Sequence, residues 1–220
     1  MKLFFQYKKE FFIRHRDDLI FFAWIFLPVM TVILFHSTVF DEWRHMLFVY
    51  GGFVGVSLIG INGVYEFFKQ RLSVKYKQFF CRLWTGVIVL SLLQVAFVMM
   101  RYHPYQNVYF NRLAGSDLEE IKKRFELDYW GLSYRRALEY IVSHDFDPII
   151  KLYVINSAGR TSAWLLKEED RRRLRFVQRP QDAKYFISNY RGHNYEYNFP
   201  NEFYYLKVNG TKIMVVYKLQ

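Results

Sequence analysis

With 220 residues, a formal net charge of +11 and a mean hydropathy near zero, the chain has the averages of a basic soluble protein. The averages hide two unlike halves: residues 1–100 hold most of the apolar runs, whereas residues 101–220 carry 20 of the 31 Lys and Arg and 14 of the 20 Asp and Glu. Cys81 is the only cysteine, which excludes an intrachain disulfide and leaves residues 101–220 without a thiol-based metal site.

Residues 1–18 alternate aromatic pairs with basic residues, Phe4, Phe5, Phe11 and Phe12 against Lys8, Lys9, Arg14 and Arg16. That pattern predicts an interfacial amphipathic segment on the inner leaflet. Uncharged runs follow at 19–35, 46–65 and 83–100. At ~1.5 Å rise per residue each spans roughly 26–30 Å, the thickness of a hydrocarbon core. The first is too long for a cleaved signal peptide and ends without a small-residue cleavage site. Pro28 inside it is expected to kink the helix rather than end it. The second contains Gly51, Gly52, Gly55, Gly60 and Gly63, and Gly51-x-x-x-Gly55 predicts close packing against another helix.

Five basic residues precede the first run and five lie in 66–82, but only Arg44 lies in 36–45. The positive-inside rule therefore predicts a multi-pass protein of the inner (plasma) membrane, with a cytoplasmic N-terminus and everything after Met100 outside. The two cytoplasmic segments account for +6 of the charge, which suits anionic headgroups, so no nucleic-acid partner is expected. Asn62 and Gln94 are the only strongly polar side chains in the runs. Neither ionises, which leaves an ion or proton path little to use.

Residues 101–220 read as an extracytoplasmic domain. Helices are expected at 116–125, capped by Ser116 or Asp117, and at 133–144, capped by Ser133 with Ala137, Leu138, Ile141 and Val142 as its apolar stripe. A third is expected at 161–173, with Trp164, Leu165 and Leu166 on its apolar side. Strands are expected at 149–156, 175–178, 185–189, 203–208 and 212–217. The last two flank Asn209-Gly210, the strongest short hairpin signal. Asn209-Gly210-Thr211 is also a glycosylation sequon, for which the turn chemistry is sufficient explanation. The run Arg171-Arg172-Arg173-Leu174-Arg175 follows Glu168-Glu169-Asp170 and reads as a solvated helix end. The expected fold class is membrane α plus α/β: three transmembrane helices, then a small extracytoplasmic mixed α/β domain.

Three constellations could carry chemistry. Asp41-Glu42-Trp43-Arg44-His45 sits in the short outer loop, where Arg44 and His45 are suited to a lipid phosphate and Asp41 and Glu42 are weak candidates for a catalytic acid. An ordinary polar loop with Arg44 paired to Asp41 explains it equally. His103-Pro104-Tyr105 through Tyr109-Phe110-Asn111 is either a ligand-facing turn or an aromatic belt. Glu126, Asp128, Tyr129 and Trp130 could suit a sugar, or could cap the helix after Gly131. No metal site and no cofactor is expected.

Those three segments resemble, in wording and order, the C-terminal third of bacterial membrane glycosyltransferases similar to the dolichyl-phosphate-mannose-dependent protein mannosyltransferases (family 39, GT-C superfamily). The likeness runs over residues 20–145. It implies a polyprenyl-phosphate sugar as donor and transfer on the outer face. In such enzymes the catalytic acid lies in the first external loop of a chain with many more spans. The Trp43-Arg44-His45 context here matches a late loop instead, so no catalytic role is carried onto Asp41. The resemblance thus implies the tail of such an enzyme, incomplete for catalysis alone and needing a multi-span partner subunit. Arg44 and His45 would face the donor phosphate. His103, Tyr105, Tyr109, Asn111, Glu126, Asp128, Tyr129 and Trp130 would shape the acceptor side. The alternative is a non-enzymatic, membrane-anchored binding or accessory module.

Overall fold

A computed structural model of the protein describes residues 15–39 and 42–220, with Glu42, Trp43 and Arg44 described by backbone only. Of the interfacial segment expected over 1–18, residues 1–14 lie outside the described residues, as does Asp41, and residues 16–18 open the first helix. One compact unit ends at Leu92 and a second runs from Leu93 to Gln220.

The first unit is helical. Helix α1 (Arg16–Leu34) keeps Pro28 inside it. A 3-10 turn (Glu42–Val49) leads into α2 (Tyr50–Arg71), and α3 (Val74–Tyr102) follows. All three helices are long and apolar enough to cross a bilayer. The segment 66–82, expected as a loop, is almost wholly helical: only Leu72 and Ser73 interrupt it, with Leu72 turned extended. Lys, Arg and Gln favour helix, so the backbone continues past the end of each apolar run.

The glycines divide into two groups. A Cβ on Gly52 would lie 2.8 Å from Ile25 Cγ1, and one on Gly55 would enter the Phe21 ring. Gly60 and Gly63 have nothing within 4 Å of that position. The close approach of α1 and α2 therefore depends on Gly52 and Gly55. Gly55→Val is expected to cost about 1–3 kcal/mol through overpacking, whereas Gly63→Ala should be neutral or slightly stabilising. Thermal melts of the detergent-solubilised chain distinguish them.

The second unit carries a five-stranded sheet in the order β2-β1-β3-β5-β4, from β1 (Ile150–Val154), β2 (Leu174–Phe176), β3 (Tyr185–Ser188), β4 (Glu202–Val208) and β5 (Thr211–Lys218). β1 runs parallel to β2 and β3, and β5 runs antiparallel to β3 and β4. Asn209 and Gly210 both take positive φ, as the tight hairpin requires. The short helix α4 (Leu118–Arg124) is capped by Asp117, whose carboxylate accepts from Glu119 N at 2.9 Å. Helix α5 (Ser133–His144) lays Ala137, Leu138, Ile141 and Val142 on one sheet face against Leu152, Ile187, Met214 and Val216. The other face is covered by Tyr190, Tyr197 and Phe199, packed on Phe186 and Tyr217. β5 is buried on both faces.

The single helix expected over 161–173 is broken. It becomes α6 (Ser157–Ser162), a 3-10 turn (Ala163–Leu165) and α7 (Glu168–Arg173). Leu166 turns extended, at φ −84° and ψ 163°, and ends the first piece. Ala163 and Leu166 then take the inward positions, and Trp164 and Leu165, expected inside, are exposed. Nor is the Arg171–Arg175 run wholly solvated. The Arg173 guanidinium donates to the carbonyls of Val142, Asp145 and Asp147, stapling the end of α5 to the sheet.

Asp145 is buried beside Lys184, whose Nζ lies 2.6 Å from its Oδ2. Burial pushes the Asp145 carboxyl up, but the Lys184 ammonium and the Asp147 N–H outweigh it and hold the carboxyl below its ordinary value. A depressed carboxylate contributes stability above its unfolded value of about 3.9 and loses it as pH falls through the folded value. Lys184→Gln is therefore expected to lower the melting temperature at neutral pH. It should also flatten the fall in melting temperature on the acid side, as read from circular-dichroism melts across pH.

Candidate functional site

The residues just after α3 are fastened to its end. Tyr105 N donates to Tyr102 O at 2.6 Å, and Gln106 Nε2 lies 3.0 Å from His103 Nδ1 and 3.3 Å from Met99 O. The His103-Pro104 peptide is cis. The hairpin turn docks on the same helix end: Asn209 Oδ1 accepts from Arg101 and its Nδ2 donates to Tyr102 Oη, each at 2.8 Å. Both ends of the Asn209 amide are thus engaged by the end of α3.

Asp128 organises the next segment. Its carboxylate accepts from Asn107 Nδ2, Leu132 N and Ser133 N, each at 3.0 Å, and from the Ser133 hydroxyl. Ser133, expected as the cap of α5, is its first residue and a donor, while Asp128 supplies the capping oxygens from upstream. Burial pushes the Asp128 carboxyl above its ordinary value against the pull of these donors. Gly131 closes the turn at φ +72°, where a Cβ would lie 2.7 Å from that of Ala158. Behind it, Asn189 Nδ2 donates to Asp128 O at 2.7 Å, and Tyr134 Oη donates to Asn189 Oδ1 at 3.3 Å.

This scaffold opens a cavity of about 620 Å³. It is lined by His103 and Tyr105, by Trp130, and by Arg135, Arg136 and Glu139 of α5. The two guanidiniums outnumber the one carboxylate. Glu139 accepts from Arg135 Nε at 2.8 Å and lies 3.6 Å from Arg136 Nη1, so both its oxygens are engaged. Tyr105 is buried, and its hydroxyl has no hydrogen-bond partner. Burial and nearby Tyr204 raise that phenol, while the Arg136 guanidinium draws it back. A net positive cavity is suited to an oxyanion, since Arg offers bidentate donors to phosphate or carboxylate.

Of the residues picked from the sequence, the structure brings His103, Tyr105 and Trp130 into this cavity, with Asp128 holding it from behind. The others go elsewhere. Tyr109 packs edge-on against Tyr102, and Asn111 accepts from Leu113 N. Glu126 accepts from Gly192 N and pairs with Arg191, whose guanidinium covers the Tyr129 ring at 3.8 Å. His45 is exposed in the first unit, and the side chains of Glu42 and Arg44 lie outside the described residues. Arg135, Arg136 and Glu139 were not picked out. The signal was an Arg-Arg pair two residues after Leu132-Ser133 with an acid three and four positions on, an arrangement that places all three along one helix flank. Among the described residues no group of His, Cys, Asp and Glu is placed to hold a metal.

Comparison with protein-family models, curated proteins and solved structures finds no match.

Asp128→Ala is expected to destabilise the chain by about 2–3 kcal/mol, because α5 loses its cap and buried N–H groups lose their acceptor. Asp128→Asn should cost less. Chemical denaturation followed by tryptophan fluorescence measures both.

Proposed function

We propose that the chain is a multi-pass membrane protein whose second unit lies outside the cytoplasmic membrane, and that its cavity binds the phosphate of a polyprenyl-phosphate sugar. It serves glycosyl transfer as a binding subunit, related to the tail of the GT-C enzymes it resembles, with catalysis supplied by a multi-span partner. The observation that carries the reading is the cavity itself, in which His103, Tyr105 and Trp130 meet Arg135 and Arg136 directly beyond the end of α3. The three helices and the ten basic residues before the first apolar run and between the second and third support the insertion and its orientation.

The committed carboxylates support a binding rather than a catalytic role. A general base must be available to take a proton from an acceptor hydroxyl. Glu139 is tied by two guanidiniums, and Asp128 is buried under its own donors. In the full chain reconstituted in nanodiscs, polyprenyl monophosphate should bind saturably. Arg136→Ala and Arg135→Ala should each weaken it about 10-fold or more, and Arg172→Ala, on the exposed face of α7, should not. The chain alone should show no sugar transfer. Unchanged affinity in both cavity variants would remove the phosphate from this site and leave the accessory module without it.

A further inference from the structure

One surface of the second unit is not used by the cavity's polar groups. Leu132 and Leu165 line the same cavity as His103 and Pro104, the first two residues beyond α3. Both leucines are open to solvent, Leu132 at 46% and Leu165 at 62%, and beside them stand Trp130 at 51% and Trp164 at 71%. This exposure is built in. The 3-10 turn sends Ala163 and Leu166 into the core, and the two large residues between them face outward. A cluster of this kind marks an interaction surface.

We propose that Leu132, Trp164 and Leu165, with Trp130, form a docking surface that seats the α/β unit on the outer leaflet of the membrane that α3 crosses. The proposal rests on the membrane anchoring put forward above, but not on the phosphate ligand. Three observations favour lipid as the occupant. First, the surface is continuous with the residues that follow α3 in the same compact unit, so it lies at the end of the helix that leaves the apolar layer. Second, its chemistry is interfacial. Two tryptophans and two leucines are bordered by Arg135, Arg136 and Arg171, with the Arg171 guanidinium 4.3 Å from the Trp164 ring centroid. Indole at headgroup depth with arginine reaching phosphate is the pattern of a membrane boundary. Third, four side chains are far fewer than the roughly 20–30 residues a side that a stable protein dimer engages. On the cavity side the border is basic, because Arg135 and Arg136 outnumber Glu139. Seated this way, the cavity opens at headgroup level, and an anionic lipid would reach Arg136 without leaving the leaflet.

The test uses the full chain with Cys81→Ser, in nanodiscs containing anionic phospholipid. Single nitroxide labels are introduced through Trp164→Cys, Leu165→Cys, Lys151→Cys and Leu90→Cys. Lys151 is an exposed residue of β1, and Leu90 lies midway along α3. Collision with oxygen and with a water-soluble nickel chelate reports depth. Labels at 164 and 165 should be several-fold more accessible to oxygen than to nickel, as at 90, while 151 should show the reverse. Adding Leu132→Ser to the Leu165→Cys chain should shift its label toward water. If 164 and 165 match 151 while 90 stays in lipid, docking is overturned and anchoring stands. If 90 also reads as water, both fall. Labels at 164 and 165 shielded from both reagents would mean a protein occupant, such as a second copy, and would overturn the lipid assignment.

Discussion

Four donors converge on one carboxylate at Asp128, and the cavity depends on that convergence. Asn107 brings the segment that leaves α3, while Leu132 and Ser133 bring the start of α5. Two stretches separated by about twenty residues of chain are thereby held against each other, so His103 and Tyr105 line one cavity with Trp130 and the arginines. Buried and accepting from backbone, Asp128 has little freedom to do anything else. Its residue type would look catalytic in a sequence, and its surroundings make it architectural.

The same contrast separates the acids from the bases around the cavity. Glu139 and Asp128 are both engaged, whereas the guanidiniums of Arg135 and Arg136 share a single carboxylate. Charge of that sign favours taking up an anion over moving a proton.

Much of this was legible in the chain. Apolar runs without charge gave the three long helices, and period-2 strands with Asn209-Gly210 gave the hairpin. The stripe from Ala137 to Val142 gave the face of α5, because hydrophobic spacing and turn chemistry are local signals. What was not legible depended on partners distant in sequence. The break at Leu166 could not be read, because Trp164, Leu165 and Leu166 look equally fit for burial until the core accepts only Ala163 and Leu166. Glycine spacing did not say which of five glycines meets a neighbour, since that is decided by Phe21 and Ile25 on another helix. Arg173 looked like one charge in a solvated run until three carbonyls from 142–147 converged on it. The H-P-Y and D-Y-W-G segments drew notice by their composition, yet half their polar residues turned away, toward Arg191 or into local turns.

The position of β5 carries a consequence for how the domain comes to exist. Thr211–Lys218 is the last strand of the sheet in chain order, yet it lies between β3 and β4 and is buried on both faces. Until it arrives, β3 has an open edge, α5 lacks the Met214 and Val216 side of its bed, and Asn209 has not reached Arg101 and Tyr102. The unit therefore cannot assemble progressively as it is made. Its sheet edge stays unpaired until strand β5 joins, which makes that interval the one in which the domain is most exposed to aggregation and proteolysis.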